Sequence, residues 1–294
     1  MSYISLGYML FVACCLIFYY IFPKKHRWWV LLAASIGFYA IVCLKYISFV
    51  FVTAASTYAG GRILEAYANK HKAYIKSQKG VWPKEERDLY KAKVSRRKKW
   101  ITAAILLLNF GILGFLKYYN FFADALNVLL NPLGGGLPGL GLFLPLGISF
   151  YTFVICGYMI DVYRGREAER NFLDFALFTT FFPAILSGPI ERSKSLLPQI
   201  KQPRRATADD VRFAAERLIE GTVKKVLLAD NLAVLVNTAY ADPAQFSGLE
   251  LAFAAVAYAL QIYCDFSAYS DMAIGMGRMI GFHYRENFNY PYIS

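Results

Sequence analysis

Two carboxylates, Asp265 and Asp271, interrupt an otherwise largely apolar part of the chain, in the segment QIYCDFSAYSDMAIG at 261–275. On a helix, residues four apart share one face, which here carries Gln261, Asp265 and Tyr269. A second polar cluster consists of Ser267, Ser270 and Asp271. Charged side chains in membrane segments are costly and usually face a bundle interior or a wet cavity. The carboxylates either bind backbone or arginine donors as structural groups or line a substrate path, and spacing leaves both alternatives open.

The composition is that of a membrane protein. Of the 294 residues, 57% are hydrophobic and only 18% are charged, and the apolar residues come in blocks. About 20 helical residues cross a hydrocarbon layer roughly 30 Å thick. We therefore expect an all-α, polytopic membrane helical bundle formed by the whole chain, 1–294, as a single membrane domain. Runs that fit or approach the required length lie at 3–22, 28–44, 46–64, 101–122, 142–163 and 249–264.

The last apolar run continues into the polar segment. As one helix, 249–282 would be about 51 Å long, which is more than a bilayer needs. We expect this helix to bend or emerge near the polar residues; the alternative is that Asp265 or Asp271 lies at a mouth or caps a second helix.

The positive charge, +12 overall, clusters between the apolar runs. This pattern is typical of membrane topology, not of a nucleic-acid-binding face. The segments 23–27 (PKKHR) and 65–99, with twelve Lys or Arg against four acids, are predicted to be cytoplasmic, so the N-terminus is expected outside. We interpret 65–99 as a long basic segment between membrane spans that is compatible with helix except around Gly80 and Pro83. It is expected to touch anionic lipid head groups, with partner binding as the alternative.

A re-entrant segment is predicted at 172–190. If this segment crossed the membrane, the basic stretch 191–205 would lie outside, against the positive-inside bias. Its proline and glycine residues leave backbone N–H and C=O groups without helical hydrogen bonds. At membrane depth this is tolerated only where protein or a water-filled cavity supplies partners for these groups. The residues assigned to this feature are Pro183, Ser187, Gly188, Pro189 and Arg192. Further on, 207–228 has helical apolar spacing and is predicted to be an amphipathic interfacial helix.

The chain carries none of the common sequence motifs of metal-dependent, serine-hydrolase or nucleotide-binding enzymes. The sequence contains no HExxH, GxSxG, P-loop or zinc-ligand spacing, so we expect neither a metal nor a bound cofactor. His26, His71 and His283 lie in polar segments and are interpreted as loop histidines.

Ordered blocks along nearly the whole chain resemble the membrane-bound O-acyltransferase family. The resemblance is to its bacterial branch, which acetylates alginate and other exopolysaccharides. The blocks include LPLGISFYTF at 144–153, FFPAILSGPIER at 181–192, VKKVLLADNLA at 223–233, the segment 261–275 and ENFNYPYIS at 286–294. Two positions depart from the family pattern, which usually has Gln at Val154 and Gly at Ala268.

The resemblance implies a helical bundle with a funnel through the bacterial cytoplasmic (inner) membrane. It implies acetyl transfer from a cytoplasmic donor, acetyl-CoA or another acyl thioester, to hydroxyls of an extracellular polysaccharide, with extracytoplasmic partner proteins. The residues expected to line the funnel or position a catalytic histidine are Gln261, Asp265, Ser267, Tyr269, Ser270, Asp271, Asn287 and Asn289.

The catalytic base itself is expected outside these residues. Attack of a hydroxyl on a thioester needs a base, and histidine suits that task near neutral pH. In the family this histidine follows the ENFNxPYxS block, so we expect it beyond Ser294. We interpret the chain as a fragment of a longer enzyme that is inactive alone, with an inactive remnant or a binding component as the alternative. The alternatives are a related protein that transfers D-alanine to teichoic acid, or a noncatalytic membrane scaffold or transporter.

Overall fold

The structure is a computed structural model that describes residues 3–78, 80–142, 147–185 and 188–288. Helices dominate this part of the chain and it contains no β-strand, which confirms the all-α prediction. A π-helical stretch, Lys224–Ala229, joins α8 to α9. The helices are α1 (Leu6–Ile21), α2 (Arg27–Cys43), α3 (Ile47–Ser77), α4 (Lys84–Leu130), α5 (Ile148–Tyr163), α6 (Phe172–Thr180), α7 (Ser193–Lys201), α8 (Ala208–Val223), α9 (Asp230–Ala241) and α10 (Gly248–Met279).

Three helices, α3, α4 and α10, are long and apolar enough to cross a membrane, and α1 and α5 are shorter apolar helices. The first half of α10 exposes large apolar side chains, among them Leu249, Phe253 and Val256. Such continuous apolar surface is unfavourable in water and favourable in lipid. The chain is therefore a membrane helical bundle in contact with lipid.

The chain clusters into two compact units, each described here by itself. The first unit combines Met1–Phe38 with Phe181–Ser294, and the second is Tyr39–Thr180. The single membrane domain inferred from the sequence stays a prediction.

In the second unit, α3 and α4 form a long antiparallel hairpin. A Cβ atom at Gly60 would lie 2.6 Å from Cγ1 of Ile105, so glycine permits close contact between the two helices. The Asn109 amide donates to Oγ1 of Thr57 at 3.0 Å, which joins the same helices through a buried hydrogen bond. Small residues and this polar contact therefore fix the hairpin.

The segment 65–99 was expected to be compatible with helix except around Gly80 and Pro83, and the structure confirms this expectation. Helix α3 continues to Ser77 and α4 begins at Lys84, so only the turn between them is irregular. The Lys, Glu and Ala residues of the segment favour helix, and ring contacts hold the helix ends together. His71 Nδ1 lies 2.6 Å from the Tyr90 hydroxyl, for example. The basic segment is therefore a helical arm.

The predicted re-entrant segment forms one short helix and a turn. Helix α6 has nine residues, about 14 Å, and ends at Thr180. Protein groups satisfy the freed backbone: the Tyr3 hydroxyl donates to the Pro183 carbonyl at 2.8 Å, and the Phe182 amide donates to Ser35 Oγ at 3.2 Å. The Gly188 amide bonds the Ala184 carbonyl at 2.9 Å. Whether the segment re-enters a membrane stays a prediction.

Helix α10 is continuous from Gly248 to Met279, about 48 Å. It begins at a capping box in which Ser247 and Glu250 bond each other's backbone amides. The expectation that Asp265 or Asp271 caps a second helix was wrong, because both lie inside the helix and bind side chains of neighbouring helices. The predicted helix at 207–228 comprises α8 and part of the π-helical stretch; its interfacial position stays a prediction.

Candidate functional site

Asp271 lies at the centre of an ionic cluster between α8 and α10. Its side chain is only 8% exposed, and both carboxylate oxygens are engaged. Oδ1 accepts a hydrogen bond from Arg217 Nη1 at 2.9 Å, and Oδ2 accepts one from Lys224 Nζ at 2.6 Å. Arg217 and Lys224 are seven residues apart, so they lie on one face, two helical turns from each other. Two charge-assisted hydrogen bonds fix this carboxylate as an anchor between helices.

The same cluster holds the segment that follows α10. Arg217 also binds Glu286, with Nη2 and Oε1 2.7 Å apart, and it lies 3.5 Å from Glu220. The Asn287 amide donates to Ser270 Oγ at 2.9 Å. These contacts tie residues 286 and 287 to the polar face of α10. Asn289 lies outside the described residues.

Asp265 forms a second, more open ionic group. Its carboxylate lies 2.7 Å from Lys225 Nζ, which is also 2.7 Å from Asp230, and its side chain is 42% exposed. The Lys225 ammonium lies 5.6 Å from the centroid of the Tyr269 ring. Partial burial disfavours the charged lysine, but the hydrogen bonds that Lys225 donates to both carboxylates outweigh this effect and raise the pKa of Lys225.

The π-helical stretch lets consecutive lysines reach different acids. The Asp230 amide bonds the Lys225 carbonyl, five residues back, as in a π-helix. Lys224 binds Asp271, whereas Lys225 binds Asp265 and Asp230. The stretch thus connects α8 and α9 to both carboxylates of α10.

Two glycines bring α8 and α10 close enough for this cluster to be buried. A Cβ atom at Gly221 would lie 2.8 Å from the Ala268 carbonyl oxygen, and one at Gly275 would lie 3.0 Å from the Ala214 carbonyl oxygen. Small residues therefore line the contact on both helices. Ala268, where the family usually has Gly, is fully buried in this contact.

The remaining α10 residues of the predicted site do not join the ionic cluster. Ser267 is buried and donates to the Cys264 carbonyl of its own helix at 3.3 Å. Oε1 of Gln261 has no hydrogen-bond partner among the described residues. The ring of Tyr269 packs against that of Tyr3, 5.3 Å between centroids. Only part of the predicted polar face is therefore assembled into one group.

The residues assigned to the turn after α6 lie in the same compact unit as the cluster. Pro183, Gly188 and Pro189 are buried, whereas Arg192 is exposed and precedes α7. Ser187 lies outside the described residues. A Cβ atom at Gly188 would lie 2.5 Å from Ala184 Cα, so the turn needs glycine there. These residues shape the turn, and none of those described contacts Asp265 or Asp271.

Glu191 is a buried acid that the sequence did not single out. Its side chain accepts a hydrogen bond from the Arg285 amide at 2.7 Å, while Oε2 has no partner among the described residues. Burial raises the pKa of Glu191, although the Arg285 amide and other donors oppose the effect. This contact gives the segment after α10 a second attachment, at Arg285.

A cavity of about 260 Å³ lies beside α7, lined by Pro198, Gln199, Gln202, Arg204, Gly281 and His283. His283 Nε2 lies 3.5 Å from Asp210, which also binds Arg278 Nη1 at 2.9 Å. The hydrogen bond from the Thr207 amide, together with these cations, holds the pKa of Asp210 below its usual range. His283 thus has a carboxylate neighbour that its interpretation as a loop histidine did not anticipate.

The arrangement is suited to positioning a segment of chain. Asp271 has both oxygens bound by cations, and Asp265 shares Lys225 with Asp230, so neither is an unoccupied proton acceptor. The described ranges contain no group of three or more His, Cys, Asp or Glu side chains that could hold a metal ion. The cationic partners Arg217, Lys224 and Lys225 were missed as site residues. A buried acid needs a cation, and α8 and the π-helical stretch after it carry three, which is the signal that could have found them.

The geometry defines a class of protein, a membrane helical bundle in which the polar part of α10 and the helix α8 anchor the segment that follows α10, through Glu286 and Asn287. No family model matches the chain. It is 36% identical over 288 residues to the probable alginate O-acetylase of Azotobacter vinelandii. The alignment covers 97% of this chain and 52% of that relative. It is 43% identical over 199 residues to the probable alginate O-acetylase of Pseudomonas aeruginosa, 67% of this chain and 38% of the relative.

Relatives of lower identity have names that refer to peptidoglycan and teichoic acid, which are cell-wall polymers. The peptidoglycan O-acetyltransferase of Helicobacter pylori is 31% identical over 223 residues, 67% of this chain and 42% of the relative. Teichoic acid D-alanyltransferases are 28–29% identical over about half of the chain. The chain spans about half the length, or less, of the curated relatives it matches. The chain belongs to the membrane-bound O-acyltransferase family, which confirms the resemblance seen in the sequence.

Proposed function

We propose that the protein is a membrane O-acetyltransferase that moves an acetyl group from a cytoplasmic donor, such as acetyl-CoA, to hydroxyls of an extracellular polysaccharide. The observation that carries this proposal is the similarity to a probable alginate O-acetylase over 97% of the chain. The anchored polar face of α10 supports it, because this face holds the segment 286–287 from which the family's catalytic region continues.

The reaction is an acyl transfer. The acceptor hydroxyl oxygen attacks the thioester carbonyl, a C–O bond forms, the C–S bond breaks, and the hydroxyl proton ends on the departing thiol. A general base takes that proton during attack, and a histidine outside the described residues is proposed for this role. Asp271 and Asp265 act as positioning residues, since cations already engage them.

The proposal includes a place in the cell and a topology. The protein lies in the bacterial cytoplasmic membrane as a multi-pass protein, with the N-terminus outside and the helical arm 65–99 in the cytoplasm, as the Lys/Arg distribution favours. This arrangement gives the donor access from the cytoplasm, while extracytoplasmic partner proteins complete transfer to the polymer. A reporter inserted in the turn between α3 and α4 should score cytoplasmic, and an extracytoplasmic score would reverse this topology.

The activity is tested with inner-membrane vesicles that contain the intact protein. Vesicles given acetyl-CoA labelled in the acetyl group and alginate oligosaccharides should form alkali-labile acetyl ester on the oligosaccharide. Vesicles from a strain without the protein are the matched control. Absence of transfer to alginate, with transfer to peptidoglycan fragments instead, would move the acceptor to peptidoglycan.

The second candidate is D-alanyl transfer, which the more distant teichoic acid D-alanyltransferases favour. It is distinguished by the donor: D-alanine on a carrier-protein thioester would be consumed, and acetyl-CoA would not. Substrate transport by proteoliposomes with no acyl transfer from either donor would overturn the enzyme proposal altogether.

A further inference from the structure

Arg27, the first residue of α2, is fully buried although the residues just before it, 21–26, are all exposed. Its Nε donates to the Phe22 carbonyl at 3.3 Å. Nη1 and Nη2 have no hydrogen-bond partner among the described residues. A guanidinium has five N–H donors, so four of them are buried without an acceptor in this part of the chain.

Aromatic side chains surround the guanidinium, and the Tyr19 hydroxyl is close enough to interact with it, but a neutral phenol does not neutralise its charge. The centroids of the Tyr19 and Tyr20 rings lie 5.0 and 5.6 Å from Cζ of Arg27. Ring faces attract a cation, but they do not replace the in-plane acceptors that Nη1 and Nη2 require. A buried charge with this many free donors is strongly unfavourable unless an anion is supplied.

The neighbouring side chains are basic and do not supply that anion. Lys24 and Lys25 lie directly before Arg27, and Arg204 contacts the same region because its carbonyl accepts a hydrogen bond from the Tyr19 hydroxyl at 3.2 Å. None of Arg27, Lys24, Lys25 and Arg204 forms an ion pair with a carboxylate in the described ranges. Arg204 also lines the 260 Å³ cavity beside α7.

We propose that Arg27 binds the phosphate group of a ligand, either an anionic lipid head group or a free phosphate compound. Arginine binds phosphate through two parallel N–H···O bonds, and the unpartnered Nη1 and Nη2 offer such a fork. The other basic residues favour phosphate over a single carboxylate, because a phosphate has more acceptor oxygens to share among several cations. The N-terminus of α2 adds a favourable dipole for an anion. This site is independent of the ionic cluster at Asp271 and of the proposed acetyl transfer.

The test compares ligands on the protein purified in a phosphate-free maltoside detergent and buffer. Thermal unfolding is followed during three additions: inorganic phosphate, phosphatidylglycerol and diacylglycerol, which lacks a phosphate. The wild-type Tm should rise by about 5 °C at saturation with a phosphate-bearing ligand and not with diacylglycerol. A rise with phosphatidylglycerol alone assigns a lipid head group, and a rise with inorganic phosphate as well assigns a free phosphate compound.

The variant Arg27→Met separates ligand binding from a structural role. Without ligand its Tm should equal or exceed that of the wild type, because a buried unpaired charge has been removed, and no ligand should raise it. Arg62→Met is the matched control, since Arg62 is 41% exposed and pairs with Glu65; it should keep the full rise. Arg27→Lys, which keeps the charge without the fork, should need at least tenfold more ligand for half of the rise.

Several outcomes would overturn the proposal. These are no phosphate-dependent rise in the wild type, an equal rise with diacylglycerol, an Arg27→Met variant that responds as the wild type does, or a large fall in its Tm without ligand. Because this assay measures unfolding and not acetyl transfer, its failure leaves the proposed enzyme activity standing, and failure of that activity leaves this site standing.

Discussion

Two arginines of the first compact unit show opposite ways of holding a charge inside a membrane protein. Arg217, 24% exposed, binds Asp271 at 2.9 Å and Glu286 at 2.7 Å. Arg27, fully buried, donates to one backbone carbonyl and contacts the side chains of Tyr19 and Tyr20, and it has no carboxylate partner among the described residues. Carboxylates of the chain itself neutralise Arg217, so this cluster anchors one segment of the chain to another. No carboxylate of the described residues neutralises Arg27, so the proposed phosphate ligand would supply the negative charge.

The largest effect is expected from Arg217→Met. The substitution leaves Asp271 with only Lys224 and frees Glu286, so the free energy of unfolding should fall by about 2–4 kcal/mol. Chemical or thermal unfolding in detergent measures this change. Arg27→Met is the matched control, and an equal loss of stability in both variants would remove the distinction between the two arginines.

A somewhat smaller effect is expected from Gly221→Ala, which tests the close helix contact that keeps the cluster buried. The new Cβ would lie 2.8 Å from a backbone oxygen, so α8 and α10 must separate, at a cost of about 1–3 kcal/mol. Gly111→Ala in α4 is the control, because a Cβ there meets nothing within 4 Å and alanine favours helix. If both substitutions stabilise the protein, the contact between α8 and α10 is looser than described.

Glu191 offers an intermediate case, a buried acid with one oxygen satisfied, and its effect depends on pH. Burial raises its pKa above that of an ordinary glutamate, about 4.3. Its contribution to stability is therefore complete below that pH and is lost as the pH rises through the raised value. Glu191→Gln should match the wild type in Tm at pH 4 and exceed it at pH 7.

Asp210 supplies the control of opposite sign. Its pKa is lowered by the Thr207 amide and by its cationic neighbours, so its contribution is present above the ordinary aspartate pKa and lost as the pH falls. Asp210→Asn should lower Tm at pH 7, and the difference should shrink below about pH 4. Parallel pH curves for the two variants would contradict the assigned environments.

The smallest effect is expected from Asp265→Asn. This side chain is 42% exposed, and Lys225 keeps Asp230 as a partner, so the loss should be below about 1 kcal/mol. Unfolding at low and high salt measures it, since an exposed pair is screened. A loss as large as that at Arg217 would show that Asp265 is buried in the membrane-embedded protein.

The sequence predicted the all-α bundle and its apolar runs, because membrane thickness imposes a length on spanning helices. It also indicated that 65–99 is compatible with helix except around Gly80 and Pro83, but it did not predict the contacts, such as that of His71 with Tyr90, that hold the two helix ends together. It identified Asp265 and Asp271 but not Lys224 or Arg217, which lie 47 and 54 residues away from Asp271 along the chain and meet it only through helix packing. Arg27 was interpreted as one more cytoplasmic charge, and nothing in the motif PKKHR indicates that it alone is buried.

The central claim is that Asp271 positions the site and does not take the proton, and acetyl transfer by Asp271→Asn tests it most directly. The rate is measured in vesicles across pH at a temperature where the variant stays folded. The account predicts a loss below about tenfold with an unchanged pH profile, whereas loss of a general base costs roughly 10²–10⁴-fold. A folded variant that has lost more than about a thousandfold in rate, or whose pH dependence has vanished, would contradict the claim.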